Sequence, residues 1–299
     1  MPARTYIGTS SWADRSFVAS GKFYPPQLKD TPARLAYYAQ RFNFAEIDST
    51  YYALPSRKNS EAWANAVPSG FRFNVKAFAL FTQHPTPLNS IPKSFRDALP
   101  PEAAKKSRVY EKDVPAEISA ELASIFLRGI GPIRDAGKLG AILIDFPPWF
   151  VPSDANRAYL RKARDLFAED NVVVEFRDRR WADDETLAST LDLLRELRCG
   201  LCCVDEPPGL KESFPPIAAA TASVALVRFR GRNAERFADK QAPMEERLSW
   251  WYTDEELSEW LPRIEQLAAA VDELYLAFNT KSDDQSVVNA AKLQQLLGL

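Results

Sequence analysis

Three segments of this chain set chemically able side chains two positions apart. "AEIDSTYYALP" (45–55) carries Glu46 and Asp48, "VVEFRDRRW" (173–181) carries Glu175 and Arg177, and "VALVRFRGR" (224–232) carries Arg228 and Arg230. Side chains alternate across a strand, so each pair shares one face. Carboxylates whose environments push their pKa values apart can divide acid and base work. Guanidiniums clamp phosphates or carboxylates in a planar fork. Lys76, closing "FRFNVKA" (71–77), could bind an anion or, if desolvation lowered its pKa, attack a carbonyl. Asp145, Asp205 and Asn279 close three further strand-like runs.

These residues need elements to bring them together. Strand patterns occur at 5–10, 44–49, 71–78, 139–146, 171–176, 200–205, 223–231 and 273–278. Helical patterns follow nearly all of them, with Ser153 and Thr253 placed as N-caps. Eight such units predict an α/β fold, a TIM-type (β/α)8 barrel occupying 1–299 as a single domain. The third βα connection is extended by an excursion at 79–115. The sixth helix is missing or short, because Pro207, Pro208, Pro215 and Pro216 interrupt that crossover. The rival is an open doubly wound sheet, but no G-x-G-x-x-G or P-loop follows any strand, so no nucleotide-cofactor motif supports it. In a barrel the strand ends meet at the C-terminal face, where the site is expected.

Composition narrows the partners. The chain has 299 residues, 46% hydrophobic and 26% charged, with 38 basic against 40 acidic residues and a net charge of −2. That balance gives no global field for nucleic acid, although a basic patch within 79–115 (Lys93, Arg96, Lys105, Lys106, Arg108) keeps nucleic acid open as a partner. No run suits a membrane span and no apolar core follows Arg4 as in a signal peptide, so a cytoplasmic location with no membrane partner is expected. Cys199, Cys202 and Cys203 fall in an alternating apolar run and read as core residues more readily than as metal or redox ligands.

The motifs also carry a resemblance. "IGTSSW" (7–12), "KFYP" (22–25), "AEIDSTYYALP", "FRFNVKA" with "TQH" (82–84), "FPPWF" (146–150), "VVEFRDRRW", "VALVRFRGR", "WWYTDEEL" (250–257) and "LYLAFNT" (274–280) occur in order. In them the chain resembles domain-of-unknown-function family 72, the YecE-like proteins. The resemblance covers the whole chain and implies a TIM-type barrel and a bacterial- or archaeal-type cytoplasmic protein; it supplies no reaction. This chain departs from the usual family pattern at Ser11 for glycine, Asp48 for asparagine, Asp145 for glutamine and Arg230 for histidine. An arginine at 230 cannot shed its proton at neutral pH, which removes a histidine base there. His84 lies in a loop with Pro85 and Pro87, where a lone histidine is more often a surface residue, and the resemblance around "TQH" implies a site role for it.

Two function classes follow. The first is an enzyme, a hydrolase or a lyase or isomerase, acting on a small polar or anionic substrate bearing sugar or phosphate. Its catalytic residues would be Glu46, Glu175, Lys76 and Asp205. Trp12, Asp48, Tyr51, His84, Arg177, Arg228, Arg230 and Asn279 would bind substrate, with Trp12 and Tyr51 as ring-stacking walls. Of cofactors, only a divalent ion on Glu46, Asp48, Glu175 and Asp205 is left open. The second class is a non-catalytic binder holding a nucleotide, nucleic-acid end or partner loop in the same pocket.

Overall fold

A computed structural model describes residues 3–210 and 212–299. Eight parallel strands close into a barrel, each paired with its sequence neighbours: β1 (Arg4–Thr9), β2 (Phe44–Ile47), β3 (Arg72–Lys76), β4 (Leu139–Asp145), β5 (Val172–Glu175), β6 (Cys199–Asp205), β7 (Val224–Phe229) and β8 (Glu273–Phe278). β8 returns to β1 in register from Arg4 opposite Glu273 to Thr9 opposite Phe278, which closes the ring. Buried on both faces, these strands read as near-continuous apolar runs, as parallel sheets do.

Helices cover the barrel: α1 (Thr31–Tyr38), α2 (Arg57–Ala66), α3 (Ala116–Asp135), α4 (Asp154–Asp165), α5 (Leu187–Glu196), α6 (Leu261–Ala268) and α7 (Gln285–Leu297). Ser153 caps α4 by accepting from the Asn156 amide. Thr253 and Glu256 form a reciprocal capping box on the short turn of helix before α6. Pro262 sits in the first turn of α6, where a missing N–H costs nothing, so the helix capped by Thr253 ends before it and α6 starts anew. Between β6 and β7 no helix forms among the described residues, as the prolines predict. The excursion 79–115 is less loose than its polarity suggests. A two-residue antiparallel ladder pairs Thr86–Pro87 with Arg108–Val109, and short helical turns lie around it. Among the described residues no helix is long and apolar enough to cross a membrane.

The barrel interior is layered. At the N-terminal end Tyr275 stacks on Tyr6 at 5.2 Å and tilts against Phe44, while Glu273 accepts from the Tyr275 hydroxyl. Gly140 is required beside this plug, because a Cβ there would lie 2.5 Å from the Tyr275 hydroxyl. By alternation, the same faces that bury Phe44 and Val173 at this depth carry Glu46 and Glu175 two residues higher. An apolar and aromatic floor therefore leads up to a charged mouth.

Candidate active site at the barrel mouth

Arg228 stands at the centre. Its Nη1 donates to Glu175 Oε2 at 2.5 Å and its Nη2 to Glu46 Oε2 at 3.0 Å, with Asp48 Oδ1 at 4.0 Å. Neither β2 nor β5 is a sheet neighbour of β7, so these contacts run through the interior of the barrel. Arg230 lies one inward position higher and donates to Glu175 Oε1 at 2.9 Å and Glu206 Oε2 at 3.1 Å. On the other side Lys76 pairs with Asp145 at 2.8 Å and sits 4.7 Å over the ring of Tyr51. Glu46, Glu175 and Arg228 are each no more than 1% exposed. Charges buried to that degree must be matched by partners, which this lattice supplies.

One cation is not matched. Arg177 shares the inward face of Glu175, yet no carboxylate lies within 4 Å of it among the described residues, and its buried Nε has no protein partner. Burial and the neighbouring Arg230 charge lower its affinity for a proton, only partly countered by Asp145 and Glu206. It is half-buried and stays cationic at neutral pH. Elsewhere at the strand ends, Glu46 Oε1, Asp145 Oδ1 and Asn279 Oδ1, and the Nε atoms of Arg228 and Arg230, are likewise buried without a protein hydrogen bond.

The two glutamates on Arg228 are driven in opposite directions. Burial raises Glu46 above the usual carboxyl range, and the Asp48 charge adds to this against Arg228. Glu175 is also pushed up by burial, but Arg228 and Arg230 together outweigh that and hold it low. Both its oxygens are occupied by guanidinium, so Glu175 acts as an anchor for the arginines and is not a free base. Lys76 is pushed down by burial and pulled up more strongly by Asp145 and Asp48, so it remains an ammonium. That disfavours the carbonyl-attacking amine. His84 is lowered to about 4, first by burial and then by Lys76 and Arg177 against the opposing Asp145; it is neutral at pH 7 and shares a 2.9 Å hydrogen bond with Thr82.

The structure brings Glu46, Asp48, Lys76, Glu175, Arg228 and Arg230 together, with Tyr51 and His84 (ring centroids 5.2 Å apart) along one edge. Two expected site residues lie elsewhere. Asp205 faces outward from β6, accepting from Tyr252 at 2.6 Å, from Trp260 Nε1 and from Arg232 at 2.7 Å. It locks the β7–β8 connection to the barrel. Trp12 is 4% exposed and packs edge-on to Trp63 of α2 and against Phe73, outside the barrel, so it offers no wall to a ligand. The divalent-ion set of Glu46, Asp48, Glu175 and Asp205 is therefore not assembled: Asp205 points away and Glu175 is occupied. Among the described residues no three Asp, Glu, His or Cys side chains are grouped to hold a metal.

Glu206 was not among the expected residues. It continues the inward parity of Cys202 and Val204, and that alternation was the signal available for it. Burial raises its carboxyl despite Arg230 and Arg177, and its Oε1 accepts from the Phe214 amide at 2.7 Å. It thus ties the helix-free sixth connection to the mouth. The basic residues of the excursion are mostly neutralised locally: Lys93 with Asp97, Lys105 with Glu102, and Lys106 with Asp113.

Comparison with known proteins places this architecture. A family model described as "Protein of unknown function DUF72" matches residues 6–299. The curated "UPF0759 protein YunF" of Bacillus subtilis is 26% identical over 98% of this chain and 95% of its own length. A DUF72 family protein of Enterococcus faecalis superposes with a TM-score of 0.80 at 24% identity, covering 99% of this chain and 96% of that one. One from Thermotoga maritima gives 0.76 at 28% identity, over 99% of both chains.

Proposed function

This chain belongs to the DUF72 family, and from that premise we propose that it is an enzyme using Glu46 for acid–base chemistry on a small anionic substrate. The observation that carries this is Arg177, among the described residues the one mouth cation left without an acidic partner beside a lattice in which the other cations are paired. An anion placed against Arg177 would meet a guanidinium with unspent donors, and charge-assisted hydrogen bonds of that kind are the strong ones. Glu46, protonated more readily than an ordinary carboxyl and with Oε1 free, has the properties of a general acid. Lys76, held charged by Asp145, adds positive potential without acting as a nucleophile.

A paired-carboxylate glycosidase scheme fits poorly, because it needs two available carboxyls and Glu175 has none to offer. That same occupancy favours the second reading, a non-catalytic binder in this pocket.

Calorimetric titration with inorganic phosphate, paired with a turnover screen of phosphate esters, separates the two. Arg177→Ala should weaken phosphate binding by about tenfold to a hundredfold. Glu46→Gln should leave it unchanged while cutting turnover by about 10²–10⁴. Phosphate affinity indifferent to Arg177 would overturn the anion assignment, and wild-type binding without turnover of any ester would favour the binder.

A further inference from the structure

Beside the mouth lies a concavity of about 530 Å³ lined by Gln83, Tyr110, Glu111, Lys112, Trp149 and Tyr159. It is joined to the charged centre by a row of rings. Lys76 Nζ lies 4.7 Å from the Tyr51 ring, Tyr51 lies 5.2 Å from His84, and His84 lies 6.0 Å from Trp149. The row ends in the open: Trp149 is 53% and Tyr110 37% exposed, unlike the buried Trp181 that anchors the neighbouring loop. Large flat side chains left exposed together at a concavity mark a contact surface rather than a core.

The walls are held in place. The excursion that carries Tyr110 is pinned by its short ladder, by Asp113 accepting from the Tyr110 amide at 2.9 Å, and by Lys162 of α4 reaching Glu111 at 2.5 Å. Gln83 occupies the left-handed region at φ 58°, a conformation uncommon for a residue with a side chain. It immediately precedes His84, so the row and the concavity share one short turn.

We propose that this concavity is a ring subsite, and that the ligand of the barrel mouth is a phosphate carrying a nucleobase, with the phosphate at Arg177 and the base against Trp149 and Tyr110. This rests on the anion reading of Arg177. The chemistry follows from the walls. Two exposed aromatic faces suit a flat heteroaromatic ring, and every base offers a π-face to them. The Gln83 amide supplies one donor group and one acceptor beside those faces, as a base edge requires. His84, neutral at pH 7, adds no charge between the cationic mouth and the aromatic walls of the concavity.

The test is calorimetric titration of the full chain with inorganic phosphate, ribose 5-phosphate and a set of nucleoside monophosphates. A nucleotide should bind about tenfold or more tighter than ribose 5-phosphate, and Trp149→Ala should remove that gain while leaving phosphate binding intact. Tyr110→Ala should remove part of it. If phosphate binds through Arg177 but the base adds nothing, or its gain survives Trp149→Ala, the ring subsite is refuted and the anion site stands. If ribose 5-phosphate already shows the full gain and loses it with Trp149→Ala, the subsite takes a sugar and the nucleobase assignment fails. Absence of phosphate and nucleotide binding alike overturns both.

Discussion

Replacing Arg228 by methionine tests the lattice on which the mouth depends. The substitution keeps most of the apolar stem and removes the fork that bridges Glu175 at 2.5 Å and Glu46 at 3.0 Å. Two carboxyls that are at most 1% exposed then lose their shared cation. Removing one member of a buried pair costs about 3–5 kcal/mol, most of it the penalty of the stranded charge. For 299 residues with an unfolding entropy of ~2 cal/mol/K each, this is a fall of about 5–8 °C in Tm.

The deficit must depend on pH. In the intact protein Glu175 is held below its usual value, so its contribution is present above the unfolded carboxyl pKa of ~4.3 and is lost as pH falls through the lower folded value. Without Arg228, Glu175 keeps Arg230 but loses the largest charge that lowers it, and Glu46, already raised by burial, loses the cation that opposes that burial and rises further. The variant is then penalised most at neutral pH, and its gap to wild type narrows as the pH is lowered toward ~4.3. Urea denaturation of both proteins between neutral and mildly acid pH measures this directly. Adding Glu46→Gln to Arg228→Met should recover part of the loss at pH 7, because Glu46, unlike Glu175 with its Arg230 partner, is the charge left stranded. A deficit flat in pH, or a double variant worse than the single by the full cost of a second lesion, would refute the account.

Two further outcomes follow from groups outside the mouth. Asp205→Asn should lower stability by about 3 kcal/mol, since Asp205 serves Tyr252, Trp260 and Arg232 at once, yet phosphate affinity should not change; a binding defect at unchanged stability would return Asp205 to the site. Cys199, Cys202 and Cys203 are all buried, and burial raises all three thiols, that of Cys199 to about 12 and that of Cys203 to about 11. The native protein should therefore resist Ellman's reagent at pH 8 and release three equivalents on unfolding, and a fast-reacting thiol in the native state would contradict that packing.

Much of this molecule is legible in its sequence. Strand and helix periodicities follow from local alternation, and they specified eight units, the prolines that suppress the sixth helix, and the caps at Ser153 and Thr253. The pairs Glu46 with Asp48, Glu175 with Arg177 and Arg228 with Arg230 were visible because parity along a strand is a property of the chain itself.

What parity cannot state is which of two faces points inward at a strand end, nor which residues of distant strands meet there. Asp205 and Glu206 are adjacent, and only the closed barrel turned the first toward Trp260 and the second toward Arg230. Trp12 looked available in a loop until the barrel and α2 enclosed it. The separation of Glu46 from Glu175 likewise arises from how many guanidiniums each one meets across the barrel. So does the lack of an acidic partner for Arg177 among the described residues. Electrostatic character in a buried site is a sum over neighbours brought by stagger and closure, whereas secondary structure is a sum over neighbours in the chain; the sequence by itself determined the second, and only the tertiary structure decided the first.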